Sequence, residues 1–268
     1  MKLKKLLFFT LCISLFACST ESSNDDNETN DDLILLKKTI ENVIDGDTFT
    51  TNYTYDANTL TNIKDSDGYE TSYTYSDGKL IKYENIENGT ILSYVIISYD
   101  SDELTSFTEF YTEASGLAST ALKFNITYNS DNTITEELYS GDHDSQTNLV
   151  STSTIKLIDK EIIIDEWEEN EDIYTYEYDN YNSIYKNINN IETIILTSRT
   201  EFGWPIYGAT KNVTKIIEYQ EGWNTTEDVF EYTYNDLDYP SSAKLYYDSD
   251  TSDSIETELS STMEFFYE

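Results

Sequence analysis

From residue 53 onward the chain copies itself. Tyr53-Thr-Tyr55-Asp-Ala-Asn58-Thr-Leu60 is followed by Tyr73-Thr-Tyr75-Ser-Asp77-Gly78-Lys-Leu80 and by Ile97-Ser-Tyr99-Asp100-Ser-Asp102-Glu-Leu104. A short unit that recurs in tandem cannot bury its own apolar face, so neighbouring copies must complete the core. Each copy reads as a strand, a tight Asx- or Gly-containing turn and a second strand. A unit therefore starts near a Leu or Ile, runs through a variable turn and ends in Tyr-x-Tyr plus Asp or Asn. On this reading the units are Leu36–Tyr55, Leu60–Tyr75, Leu80–Tyr99, Leu104–Tyr128, Ile134–Ile158, Ile162–Tyr178, a looser one from Ile184 through Ile194-Ile-Leu196, Val213–Tyr234 and Ala243–Tyr267. In the fifth, Ile155-Lys-Leu157-Ile-Asp159 stands where the others carry tyrosines. Leu36, Ile40, Val43 and Ile44 would also suit a helix; their place in the series selects strand. About nine units make about 16–18 strands of ordinary length.

The strand before each tight turn alternates with period two. Tyr73 and Tyr75 flank Thr74, Ile126 and Tyr128 flank Thr127, and Phe230, Tyr232 and Tyr234 flank Glu231 and Thr233. Each such strand has one aromatic or aliphatic face and one Thr, Ser or Glu face. The apolar side must be hidden, and no strong helical segment is evident to cover it. The fold class expected is all-β: an antiparallel meander of tandem hairpins curled into a barrel or a flattened roll. Glu and Lys on the polar faces, and short strands, argue against a membrane-spanning barrel.

Acidic residues number 52 against 16 basic, a formal charge of −36. That balance excludes nucleic acid as a partner, because phosphates need a basic surface. Yet 14% of residues are aromatic, with 24 Tyr, which separates the chain from disordered acidic sequences.

Met1-Lys-Leu-Lys-Lys5 followed by the apolar run Leu6–Phe16 has the form of an export signal. Leu15-Phe-Ala-Cys18 resembles a bacterial lipobox, which implies lipidation of Cys18 and an outer-membrane address through the lipid anchor. Residues 1–17 are then the signal peptide, 18–32 a lipid-anchored acidic tether and 33–268 one β-repeat domain. The tether resembles the surface-export signal of Bacteroidetes lipoproteins, which implies exposure at the cell surface. The mature domain keeps no cysteine for a disulfide or a thiolate–metal site.

The Tyr-x-Tyr-Asp-x-(Asp/Asn)-x-Leu copies at 53–60, 73–80 and 97–104 resemble the YD repeats of rearrangement-hotspot proteins. With the lipobox, they resemble more closely a group of Bacteroidetes lipoproteins of unknown function with a porin-like antiparallel β fold. The resemblance covers about residues 33–268, weakly over 184–212, and it implies no catalytic residue and no cofactor.

Alternate turns of a meander lie at opposite ends of its sheet. One set here is short and Asx-rich. The other varies and is expected to include His143, Trp167, Trp204, Tyr207 and Trp223. Exposed aromatics on such loops are candidates for contact with a glycan or a surface protein, so Trp204, Tyr207 and Trp223 are the expected ligand-binding residues. The competing account has each Trp capping the barrel end. His143, flanked by Asp142 and Asp144, offers one ligand or one base and builds neither a triad nor a metal site. Asp65-Ser-Asp67-Gly68 and Asp248-Ser-Asp250 with Asp253 lack the calcium-loop spacing and read as turns. A binding or structural role is therefore expected, with no catalytic residue and no metal. The alternatives are a glycoside hydrolase using two rim carboxylates, or a purely structural envelope component.

Overall fold

A computed structural model describes residues 33–112, 118–168, 171–198, 208–220, 225–251 and 254–268. These residues form sixteen strands and one helix. The strands are β1 (Leu36–Val43), β2 (Thr48–Asp56), β3 (Thr59–Asp65), β4 (Tyr69–Ser76), β5 (Lys79–Glu87), β6 (Thr90–Asp100), β7 (Glu103–Thr112) and β8 (Ala118–Tyr128). They continue as β9 (Thr133–Gly141), β10 (Gln146–Ile158), β11 (Glu161–Trp167), β12 (Asp172–Tyr178), β13 (Val213–Tyr219), β14 (Thr226–Tyr234), β15 (Pro240–Thr251) and β16 (Ser254–Tyr267). The helix, α1, is Ile191–Ser198, between β12 and β13. Each strand pairs antiparallel with its sequence neighbours, and β1 also pairs with β16, through Thr39↔Phe265 and Glu41↔Met263, so the barrel is closed. Closure removes both sheet edges, the exposure that an open meander would leave. Residues 36–43 are strand, as their place in the series required.

The wall sorts as the alternation demands. Leu60, Leu80, Tyr83, Leu104, Phe107 and Ile134 point inward and are buried. Thr74, Thr127, Lys156, Glu177, Glu231 and Lys244 occupy the opposite face and are exposed. A lipid-spanning barrel has the reverse distribution, with the apolar face outward.

The register explains the repeat. At the end with the compact turns, a register shift falls just before the second tyrosine: Thr54/Tyr55, Thr74/Tyr75, Ser98/Tyr99, Glu177/Tyr178 and Thr233/Tyr234. The facing strand has one extra residue at that point, Thr61 opposite Thr54 and Tyr55, Thr105 opposite Ser98 and Tyr99, Thr214 opposite Glu177 and Tyr178. Such a bulge disrupts the ladder locally and leaves backbone groups to satisfy. The extra threonine does part of this: Thr61, Thr105 and Thr214 donate their hydroxyls to the carbonyls of Thr54, Ser98 and Glu177. The tyrosine does the rest. Tyr55 donates to Leu36 O at 2.7 Å, Tyr75 to Leu60 O at 2.8 Å, Tyr99 to Leu80 O at 2.8 Å, Tyr178 to Ile162 O at 2.6 Å and Tyr267 to Pro240 O at 2.7 Å. In the first four the hydroxyl at the end of a unit reaches the carbonyl at its start, and Tyr267 reaches that of Pro240, the first residue of β15.

The seventh expected unit differs. Ile194-Ile-Leu196 lies in α1, not in a strand, so the described residues give eight hairpins and a helix where nine units and no covering helix were expected. Residues 182–198 and 208–212 close the compact-turn end from inside. Ile188, Ile191, Ile194, Ile195 and Leu196 join the core, and Tyr83 donates to Thr197 O at 2.7 Å. Inside a closed barrel no strand edge is free, so this stretch must satisfy its own amides and carbonyls, which a helix does internally. The β-branched composition is overridden by that requirement. The segment is tied to the rim by Asn189 and Asn58, by Asn190 to Gly78 O, and by Asn187 to Ile34 O. Its exit is held by Glu161, 2% exposed, whose carboxylate accepts from the amides of Ala209, Thr210 and Lys211 and from the Thr210 hydroxyl.

Candidate binding cleft

The tyrosine ladder is broken along β8–β11, and at Tyr234 it is diverted, the hydroxyl donating to Asp179 Oδ2. The β8–β9 turn, Asn129–Asn132, carries no register shift, and Tyr128 is 40% exposed. In the next hairpin the bulge is present, and Leu157 pairs with Ile162 as Tyr55 pairs with Leu60. A leucine thus stands at a ladder position, and the space an aromatic ring would fill remains open. A cleft of about 400 Å³ lies there, between α1 and the wall formed by β6, β7, β8, β10 and β11. That volume falls within the range of about 300–1,000 Å³ typical of small-molecule sites.

The floor is aliphatic: Leu104, Leu157 and Ile162 from the wall, Ile195 and Leu196 from the helix. Two rings, Tyr99 and Tyr128, stand at the sides. The mouth carries Asp102, Glu103, Glu192 and Lys160. Lys160 Nζ lies 2.6 Å from Glu192 Oε1, and this bond raises the lysine pKa. Outside the cleft, Lys79 pairs with Asp102 at 2.7 Å and holds its carboxyl below the usual range. Burial raises the Tyr128 pKa, and the charges of Glu103 and Glu192 push it further, so the hydroxyl stays protonated at neutral pH.

Lys160 also has an unusual backbone. In the two-residue β10–β11 turn, Asp159 and Lys160 have φ of 51° and 78°. The β4–β5 turn has the same form at Asp77 and Gly78, with φ of 50° and 78°. Glycine is the ordinary occupant of that second position, and a side chain there costs about 1–2 kcal/mol. The strain sits at the cleft mouth, where the lysine's ammonium meets α1.

Trp204, Tyr207 and Trp223, the residues expected to touch a ligand, lie outside the described residues, as does Cys18. The connection containing Trp204 and Tyr207 leaves β12 and returns to β13 at the compact-turn end, whereas Trp223 belongs to the β13–β14 connection at the opposite end. His143 and Trp167 flank connections at that opposite end. The His143 Nδ1 lies 3.2 Å from Asp144 Oδ1, and the ring packs on Phe110 at 5.1 Å between centroids. Asp144 approaches the ring because residues 142–145 turn: Asp142 Oδ1 accepts from the amides of Asp144 and Ser145. Asp65 Oδ1 likewise accepts from the amides of Asp67 and Tyr69, so this carboxylate is used by its own turn. Asp253 and the side chains of Asp248 and Asp250 are outside the described residues. Inward-facing Glu109, Glu136 and Asp165 are buried, and among the described residues no three of His, Cys, Asp or Glu converge to hold a metal ion.

Sequence reasoning missed the cleft. Two departures marked it: the loss of Tyr-x-Tyr at residues 155–157 and the breakdown of the repeat after Ile184.

No family model matches the chain, and no curated protein matches it. Among solved structures it is similar to a porin-like protein from Bacteroides uniformis, at 14% identity and a TM-score of 0.42, over 87% of this chain and 98% of that one. It is also similar to a porin-like protein from Bacteroides vulgatus, at 12% identity and a TM-score of 0.40, over 87% of this chain and 99% of that one. The closed barrel described above rests on its own strand pairing.

Proposed function

We propose that this protein is a non-catalytic binding module of the bacterial cell envelope, held at the outer membrane through lipidated Cys18, which takes a small ligand in the cleft between α1 and the barrel wall. The observation that carries the reading is the cleft itself, an aliphatic floor under a charged mouth at the one ladder position where leucine replaces tyrosine. Filling that space would have given an uninterrupted core, and open apolar volume forfeits packing contacts. The export signal and acidic tether support the address, and the polar outer wall suits a barrel standing in water.

The test is an amide NMR titration with a small-fragment library against the wild type and Leu157→Tyr. Leu157 faces Ile162 as Tyr55 faces Leu60, so a tyrosine at 157 is expected to place its ring in the cleft without disturbing the fold. Shifts are expected near Tyr128, Ile162 and Ile195 in the wild type and none in the variant, whose melting temperature is not lowered. Shifts that persist in Leu157→Tyr, or that map away from the cleft, sink the reading. The address is tested separately: Cys18→Ser is expected to release the protein from the membrane fraction.

A further inference from the structure

Resting on that reading, we infer that the ligand class of the cleft is a small amphipathic cation, a primary amine with an aliphatic body, and that Lys160 occupies the ammonium position when the cleft is empty. Three observations converge. The mouth presents three carboxylates, Asp102, Glu103 and Glu192, against Lys160 in the lining and Lys79 paired with Asp102 from outside it, so its charge is negative by one and, among the described residues, Glu103 is the carboxylate without a lysine partner. The whole chain reinforces that sign, with a formal charge of −36, and a low-dielectric cleft focuses such a field. Anionic bodies such as fatty acids or phosphates are therefore repelled, while five aliphatic side chains favour a hydrocarbon body.

The third observation is the lysine. Lys160 keeps a left-handed backbone at a turn position that glycine fills in the matching hairpin, and its ammonium lies 2.6 Å from Glu192 on the helix. Both side chains of this pair are more than a third exposed, 59% and 50%, so solvent screens the bond. An incoming ammonium with three donors can take over Glu192 while the lysine swings into water. Tyr99 and Tyr128 line the same cleft, and the Tyr99 ring already carries the Lys79 ammonium 5.4 Å from its centroid, a contact that aromatic faces favour with cations. An amine with an apolar tail gains contacts with the aliphatic floor in addition to the Glu192 carboxylate.

The experiment compares hexylamine, hexanol and hexanoate at neutral pH and low salt by calorimetry, using the mature chain. Their hydrocarbon bodies match, so preference reads the head group. Hexylamine is expected to bind about tenfold more tightly than hexanol, with hexanoate weakest, because one charge-assisted hydrogen bond is gained or opposed. Glu192→Gln is expected to lower hexylamine affinity about tenfold and to leave hexanol unchanged. Lys160→Met, which keeps the strained backbone and the apolar stem but removes the competing ammonium, is expected to tighten hexylamine severalfold. If hexanol or hexanoate binds as tightly as the amine, the cation class is overturned while the cleft stands. If no probe binds but library fragments shift cleft amides, the class is again overturned. If the fragment titration is also silent, the binding reading falls with it.

Discussion

The tyrosine ladder makes a claim that can be measured one rung at a time. Tyr55, Tyr75, Tyr178 and Tyr267 each donate one hydroxyl, at 2.6–2.8 Å, to a backbone carbonyl of the strand that opens their own unit. Replacing any of them with phenylalanine keeps the ring and its packing and removes one partly buried hydrogen bond. A bond of this kind contributes about 1 kcal/mol net, and about 1–3 kcal/mol is lost when the carbonyl stays buried without a partner. For a domain of this size each kilocalorie moves the melting temperature by about 2–4 °C. Tyr55→Phe, Tyr75→Phe, Tyr178→Phe and Tyr267→Phe are therefore each expected to lower Tm by about 2–12 °C and to reduce the urea midpoint with the slope unchanged. Tyr75 and Tyr178 belong to separate units, so the double variant is expected to show the sum of the two losses. Tyr128→Phe is the control. Its ring stands at the cleft at 40% exposure, and the change is expected to stay within about 0.5 kcal/mol. Urea denaturation followed by circular dichroism measures all of these. If the four ladder variants cost no more than Tyr128→Phe, the hydroxyls do not join the ends of the units, and the explanation of the repeat is wrong.

Other expectations follow from the same geometry. Glu161→Gln turns an amide NH₂ toward the backbone donors of residues 209–211, so a loss of about 2–3 kcal/mol is expected, with faster hydrogen exchange at those amides. Alkali should unfold the protein. Burial raises the pKa of Tyr55, Tyr75, Tyr99 and Tyr267 in the folded state, so above pH 10 the unfolded chain releases phenolic protons that the native state retains. Stability is then fully present below about pH 10 and falls as pH rises, at about 1.4 kcal/mol per pH unit for each such tyrosine; exposed tyrosines such as Tyr69 and Tyr247 titrate before the buried ones, the remaining tyrosinate absorbance should appear together with loss of structure, and gradual titration of all the tyrosines with the fold intact would contradict it. Thr105→Val deletes the bulge hydroxyl that reaches Ser98 O and is expected to cost about 1 kcal/mol in the same urea assay, against no cost for an exposed threonine off the bulges. With a formal charge of −36, raising salt from a few millimolar to about 0.15 M should raise Tm by screening self-repulsion; an unchanged Tm would show that the exposed carboxylates are already neutralised by neighbours.

Much of this molecule was readable in its residues. The alternation at Tyr73-Thr-Tyr75 and Phe230-Glu-Tyr232 determined which face of each strand is buried, because successive side chains on a pleat point to opposite sides. The spacing of Leu60, Leu80 and Leu104 set the hairpins, and the short Asx-rich turns set one end of them. An amphipathic meander without covering helices had to curl, so the sheet's fate was implied before any coordinate. The tertiary structure decided what depends on closure and on register. Ile194-Ile-Leu196 has strand-forming residues, yet it is helical, because a closed barrel offers its interior no free edge to pair with. The shift that places Leu157 opposite Ile162, and so leaves a cleft in place of a ring, is a pairing between strands that no local pattern contains. Glu192 comes to Lys160 from 32 positions away, and Glu161 binds amides 48–50 positions on. Local periodicity fixes which way a side chain faces; only the closed sheet fixes what it meets there.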